Sequence, residues 1–334
     1  LPIFVTFSLL GGETITPYKF TDSEIRQAKE TGFNAYAIPE SCRFILPSDL
    51  PDLPPIVFYL SKPTSATPYP IVILCGGSMN KESVYSIIHV HRYFLQECLD
   101  LNLGTVTVEL RGVDGTQIDD NWINYYTRSQ RLADHKTVIE HLKKNPPIGW
   151  NGKFVLIGVS EGGPLVTSLT EEYATDLLAT INWSGAGDFS WQDELWDFMQ
   201  NSKKNFPWFV KARLKLPHWL PWDIDYPANR SEYYQRINEI LNEPLSTDKY
   251  FMGMTYKYHA DALTYPAIQY TKITTPFLVV SGAQDSFIES SDAFVQKAQT
   301  AGVNITYMRI PDMDHYIRRR PEIIAQSFDW LKKA

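Results

Sequence analysis

Three residues far apart in the chain have the types and settings that nucleophilic catalysis needs. Ser160 lies in Gly158-Val159-Ser160-Glu161-Gly162, between the apolar run Phe154–Ile157 and a helix-compatible stretch. A serine hydroxyl is a poor nucleophile at neutral pH. It needs a base within hydrogen-bond reach, and the base needs an orienting acid. Candidates for both stand at later strand ends. Gly282-Ala283-Gln284-Asp285 closes one apolar run, and Asp312-Met313-Asp314-His315 follows the last one. A strand that turns sharply into a helix forces its middle residue into a strained backbone conformation. Glycines two before and two after remove side chains that would collide. The pattern predicts Ser160 Oγ exposed at the carboxyl edge of a sheet and the amino end of a helix.

Other residues compete for these roles. Asp312 and Asp314 flank His315 too closely to orient its ring by the usual geometry and read as turn residues. Asp119 and Asp120 lie in a polar loop before Asn121-Trp122 and read as solvated. His89 and His91 are two apart in a predicted helix and would not share a face for a metal. His135 and His141 read as packing or surface groups, whereas His218 and His259 fall where they could touch substrate. Arg111 reads as a structural tie to neighbouring carbonyls. The sequence offers no metal constellation, no cofactor motif and no phosphate-cradling loop.

The elements that must position Ser160, Asp285 and His315 follow from periodicity. Strand-like runs fall at Arg43–Leu46, Pro55–Leu60, Ile71–Leu74, Thr105–Leu110, Phe154–Ile157, Ala179–Trp183, Pro276–Gly282 and Asn304–Ile310. The first two are punctuated by prolines and read as short edge strands. Helices are expected over Glu82–Leu99, Ser129–Lys144, Ser291–Ala301 and Pro321–Lys333. In the second, Leu132, His135, Val138, Ile139 and Leu142 share one face. Strands alternating with helices imply a doubly wound, mostly parallel α/β sheet. The expected core is 41–187 together with 273–334. Residues 1–40 read as an N-terminal accessory segment, with a short helix from Thr21-Asp22-Ser23-Glu24 through Lys29.

The alternation breaks over 188–272. This stretch holds five of the nine tryptophans, Trp191, Trp196, Trp208, Trp219 and Trp222, and is helical in places, as in Tyr233–Leu241. It reads as a helical, aromatic-rich cap over the sheet's carboxyl edge. The aromatics would either glue the cap to the core or line an apolar pocket. Met79, Trp191 and Trp196 are the pocket candidates.

The 334 residues carry a net charge of −7 and no basic run beyond Arg318-Arg319-Arg320, which argues against a nucleic-acid partner. No apolar run has the roughly 18–20 residues a membrane span needs. Cys42, Cys75 and Cys98 are odd in number and have no metal or redox spacing. That usage slightly favours a cytoplasmic setting, and a chain starting at Leu1 leaves export open. The sequence does not specify an oligomeric state.

Taken together, the Gly158–Gly162 elbow, Gly76-Gly77, Arg111-Gly112, Asp285 and His315 resemble the α/β-hydrolase superfamily of serine esterases, lipases and thioesterases. The resemblance covers roughly residues 40–334. It implies Ser160 as nucleophile, His315 as general base and acid, and Asp285 as the orienting carboxylate. It also implies an oxyanion hole of two backbone N–H groups, one from Glu161 and one from the Cys75-Gly76-Gly77-Ser78 loop. Gly77 is the first choice there, with Ser78 or Met79 as alternatives. Many relatives begin this loop with His-Gly. Prolyl-oligopeptidase-like peptidases often have a tyrosine where this chain has Cys75, and the chain lacks room for their propeller. Cleavage of a small acyl or aryl ester or thioester is therefore expected before peptidase action. An acyltransferase, or a ligand-binding protein without catalysis, are the other readings.

Overall fold

The computed structural model describes residues 42–334 apart from 49, 64–66, 82, 116, 206–225 and 228, and describes no side chains for 202–205. The expected segment 1–40 with its short helix, Trp208, Trp219, Trp222 and His218 lie outside the described residues.

Eight strands form one sheet. They are β1 (Arg43–Leu46), β2 (Ile56–Ser61), β3 (Tyr69–Cys75), β4 (Gly104–Val108), β5 (Trp150–Val159), β6 (Leu177–Trp183), β7 (Phe277–Gly282) and β8 (Ile305–Ile310). Their spatial order is β1-β2-β4-β3-β5-β6-β7-β8. The pairings β1·β2 and β2·β4 are antiparallel. From β4 to β8 every pairing is parallel. The parallel part carries the carboxyl ends of β3, β5, β7 and β8 to one edge of the sheet, where sites in such folds are built.

The central strands are apolar throughout because helices cover both faces. Side chains alternate sides along a strand. Val72, Leu74, Val155, Ile157 and Trp183 pack on one face with Ile88, Phe94, Leu95 and Phe328. These last come from α1 (Ile88–Tyr93), α2 (Leu95–Asp100), the turn between them, and the C-terminal helix Pro321–Leu331. Ile71, Ile73, Phe154 and Leu156 point to the other face. They meet Val138, Ile139 and Leu142 of one helix and Leu165, Val166 and Leu169 of the next. The intervening helices are α3 (Trp122–Tyr125), α4 (Arg128–Lys144) and α5 (Gly162–Tyr173).

Between β6 and β7 lie α6 (Trp191–Asn205), α7 (Arg230–Asn242) and α8 (Tyr256–Leu263), with a small hairpin pairing Tyr250–Phe251 with Met254–Thr255. They share an apolar cluster of their own around Tyr233, Ile237, Phe251 and Tyr256. Two more helices, α9 (Ile288–Thr300) and α10 (Pro321–Leu331), follow β7 and β8.

Two sequence expectations need correction. β2 is not an edge strand: all six of its residues are buried between β1 and β4. The helix expected from Glu82 starts only at Ile88. Glu109, beyond the end of β4, holds the preceding segment in a loop. Its buried carboxylate accepts the Ile87 N–H at 2.9 Å, the Tyr59 hydroxyl at 2.8 Å and the Ser86 hydroxyl. Burial raises the Glu109 carboxyl to about 7, against the pull of these donors. The three cysteines are fully buried, in the first described turn, at the end of β3 and on α2.

Candidate active site

Ser160 sits between β5 and α5 with φ +52°, a left-handed conformation that costs a non-glycine residue on the order of 1–3 kcal/mol. Its surroundings enforce that conformation. The Ser160 N–H donates to Trp183 O at 2.8 Å, and its carbonyl accepts the Gly163 N–H at 2.8 Å. The flanking glycines are required by close approach. A Cβ on Gly158 would come within 2.6 Å of Gly162 O and Val166 Cγ2, and one on Gly162 would collide with the Cys75 carbonyl.

The loops after β7 and β8 are laced together by Ala283 N–H to Ile310 O at 2.8 Å and Gln284 N–H to Met313 O at 3.0 Å. This lacing brings Asp285 beside His315. Asp285 Oδ2 lies 2.8 Å from His315 Nδ1, and His315 Nε2 lies 2.8 Å from Ser160 Oγ. The other Asp285 oxygen accepts the Phe287 N–H at 3.1 Å. A carboxylate only accepts, so the ring proton belongs on Nδ1 and Nε2 is free to accept from Ser160. A hydroxyl with such an acceptor can be deprotonated as it attacks. Sequence reasoning named these three residues, and the fold brings them together.

The β3 loop comes alongside. A Cβ on Gly77 would lie 3.3 Å from Ser160 Cβ. Gly77 thus backs directly on the serine, while Ser78 is exposed and Met79 is buried. Glu161 follows Ser160 at the start of α5. Its side chain points inward, where it meets a polar cluster that sequence reasoning missed. Arg131 Nη1 donates to Glu161 Oε2 at 3.0 Å and Arg128 Nε to Oε1 at 3.3 Å. The Tyr126 and Tyr258 hydroxyls donate to Oε2 and Oε1 respectively. Burial alone would raise the Glu161 carboxyl. The two guanidiniums and two hydroxyls outweigh it and hold the group below its usual range. A signal existed: Arg128, Arg131 and Asp134 interrupt the apolar stripe of α4, and all three are buried.

The pocket candidates separate. Met79 and Trp191 belong to one apolar cluster with Trp122, Tyr126 and Tyr258. Trp191 also lies under the Arg128 guanidinium, 4.3 Å from ring centre to Cζ, and its Nε1–H donates to His259 Nδ1 at 3.2 Å. Trp196 packs on Tyr233, in the cluster of α6, α7 and α8 that Trp191 also joins and that does not include Met79. An aromatic pair not singled out from sequence adjoins His315. Phe287 is 5.7 Å from its ring, and Phe198 of α6 stacks on Phe287 at 5.8 Å.

The competing residues are engaged elsewhere. Asp312 pairs with Arg320 at 3.1 Å, and Asp314 pairs with Arg319. Asp119 and Asp120 are exposed. His91 is bonded to Ser61 and Thr107, and His135 Nδ1–H donates to Arg131 O at 2.7 Å. Arg111 ties its loop to the Pro54 carbonyl, as expected, and also makes a buried pair with Asp134 at 2.6 Å. Among the described residues, no group of three or more His, Cys, Asp or Glu is placed to hold a metal ion. No described helix is long and apolar enough to cross a membrane.

The family model for serine aminopeptidase, S33, matches residues 117–319, more than half of the chain. The chain belongs to this family. Its fold is the α/β-hydrolase fold of the superfamily, and solved structures agree. An esterase from Pyrococcus furiosus is 14% identical with a TM-score of 0.55, covering 97% of this chain and 99% of its own. Alpha/beta hydrolase domain-containing protein 10 from mouse is 15% identical with a TM-score of 0.51, covering 87% and 98%. Est1E from Butyrivibrio proteoclasticus is 17% identical with a TM-score of 0.51, covering 86% and 95%. No curated protein sequence matches this S33 family member.

Proposed function

We propose that this α/β-hydrolase cleaves carboxylic esters or thioesters through a Ser160–His315–Asp285 triad. The observation that carries the reading is the unbroken relay from Asp285 Oδ2 through both ring nitrogens of His315 to Ser160 Oγ, at 2.8 Å in each step. Ser160 Oγ attacks the acyl carbon while His315 Nε2 takes its proton. The tetrahedral oxyanion is held by the Glu161 and Gly77 N–H groups, a term worth about 3–4 kcal/mol per donor. His315 then returns the proton to the departing alcohol or thiol. Water, deprotonated by the same ring, releases the acid from the acyl-enzyme.

Structural neighbours that are esterases support the choice of an ester over other acyl substrates. The 188–272 segment would form a cap over the carboxyl edge of the core. Phe287 beside His315, with Phe198 stacked on it, favours an apolar or aryl group next to the scissile bond. The family's description as serine aminopeptidase favours a second reading, in which the leaving group is a peptide amine.

The test is hydrolysis of p-nitrophenyl esters of graded acyl length, beside aminoacyl p-nitroanilides, by wild type and Ser160→Ala. Ester turnover that disappears in the variant supports the proposal. Anilide turnover alone would replace it with the aminopeptidase. If the folded protein turns over neither and a fluorophosphonate leaves Ser160 unlabelled, both readings fail.

A further inference from the structure

The Glu161 cluster does more than satisfy a buried charge. The Arg131 guanidinium spans the two backbone segments on which the oxyanion hole depends. Its Nη1 bonds to the side chain of Glu161, the residue after the nucleophile, and its Nη2 donates to the Gly76 carbonyl at 2.6 Å. The peptide joining Gly76 to Gly77 is trans, and a peptide unit is close to planar. In such a unit the carbonyl and the next N–H point in opposite directions. Drawing the Gly76 carbonyl inward toward Arg131 therefore turns the Gly77 N–H outward, on the residue that backs onto Ser160. Farther along the loop, the Met79 N–H donates to the Tyr126 hydroxyl at 3.3 Å, and that hydroxyl donates onward to Glu161. Both ends of the 76–79 loop are thus tied to one carboxylate.

We propose that Arg131, anchored by Glu161, is a positioning residue that aims the Gly77 N–H at the developing oxyanion by holding the Gly76 carbonyl. Tyr126 secures the far end of the same loop. The proposal rests on the ester-hydrolase reading above, because only an acyl-transfer site has an oxyanion to hold. A fork is needed for the task. A lysine at 131 keeps a cation beside Glu161, but its single ammonium lacks the two parallel arms that reach Glu161 and Gly76 together. A donor aimed in advance at the transition state lowers the barrier without tightening the ground state, so its loss falls on kcat rather than KM.

The experiment compares wild type, Arg131→Lys and Tyr126→Phe in ester hydrolysis and in inhibition by a trifluoromethyl ketone, whose serine adduct carries an oxyanion. Arg131→Lys should lower kcat by about 10- to 100-fold, with KM within about threefold of wild type. Ketone affinity should weaken by the same factor as kcat. Tyr126→Phe should show the same pattern at about 3- to 10-fold. Folded Arg131→Lys protein with kcat and ketone affinity within about twofold of wild type would overturn the proposal. If Arg131→Lys does not fold, Tyr126→Phe decides alone, and an unchanged kcat and ketone affinity again overturn it. Failure of the underlying reading would look different: hydrolysis would then not depend on Ser160 in the wild-type background.

Discussion

Each oxygen of Asp285 has one partner, and the partners differ. One takes the Phe287 backbone N–H and so fixes the carboxyl plane; the other faces His315 Nδ1. Asp285→Asn keeps the shape but offers an amide N–H₂ toward Nδ1. The ring proton then belongs on Nε2, where it can no longer accept from Ser160. The expected loss in kcat is about 10³- to 10⁴-fold, read with a p-nitrophenyl ester at neutral pH. A loss under about tenfold would mean that another carboxylate orients the ring. Ser160, Asp285 and His315 were legible in the sequence because each follows an apolar run at a strand end. Arg131 was not. Its acceptor, Gly76 O, lies 55 positions upstream, and no local pattern links a guanidinium to one distant carbonyl.

At the scale of elements, the crossing of β5 into α5 over the β3 loop leaves no room beside Gly162. Gly162→Ala must push α5 off the Cys75 carbonyl. It should cost about 1–3 kcal/mol of stability, measured by urea unfolding, and slow fluorophosphonate labelling of Ser160. Normal stability with normal labelling would contradict the packing described. The loop before α1 makes a second case. Its apolar and polar residues suited a helix from Glu82, and only the folded sheet brings Glu109 to Ser86 and Ile87. The burial of that carboxyl, which outweighs the donors around it, has a pH signature. The folded Glu109 carboxyl is raised to about 7 from an ordinary 4.5, so the fold favours its protonated form. The associated stability is complete below about pH 4.5 and is lost as pH rises through about 7. Glu109→Gln, which cannot ionise, should show a Tm that changes less than wild type's between pH 5 and 8. Parallel Tm profiles would sink this assignment.

For the whole molecule, the relation between the sheet and the segment joining β6 to β7 matters most. The strand and helix alternation was readable from periodicity, whereas the burial of β2 depended on β1 folding outside it. Contacts reach across to the sheet through Tyr258 on Glu161 and Trp191 over Arg128. Near them, His259 Nε2–H donates to Phe251 O at 2.8 Å, and its Nδ1 accepts from Trp191. The ring is held neutral, its pKa lowered to about 4 chiefly by burial. The sign is opposite to that of Glu109: the contribution to stability is present above about pH 6.5 and is lost as pH falls through about 4. Protonating Nδ1 removes the acceptor of the Trp191 N–H. Tryptophan fluorescence should therefore change on acidification through this window, and Trp191→Phe should lose part of that change. An identical acid transition in the variant would place the event elsewhere.

The burial of all three cysteines also makes the folding reaction visible from outside. A thiol reagent reacts with the thiolate, and burial raises the Cys75 thiol to about 12, so the native protein should react slowly even in mild alkali. The three sulfurs sit in different places: before β1, at the carboxyl end of β3, and on α2. Pulsed alkylation followed by peptide mass spectrometry would give a separate opening rate for each place. Equal rates would mean that the sheet opens as one unit. Faster reaction at Cys75 would mean that the edge carrying the serine opens before the rest. For the same reason, a cysteine introduced on the surface would be labelled ahead of the native three, giving a clean attachment point for a fluorophore.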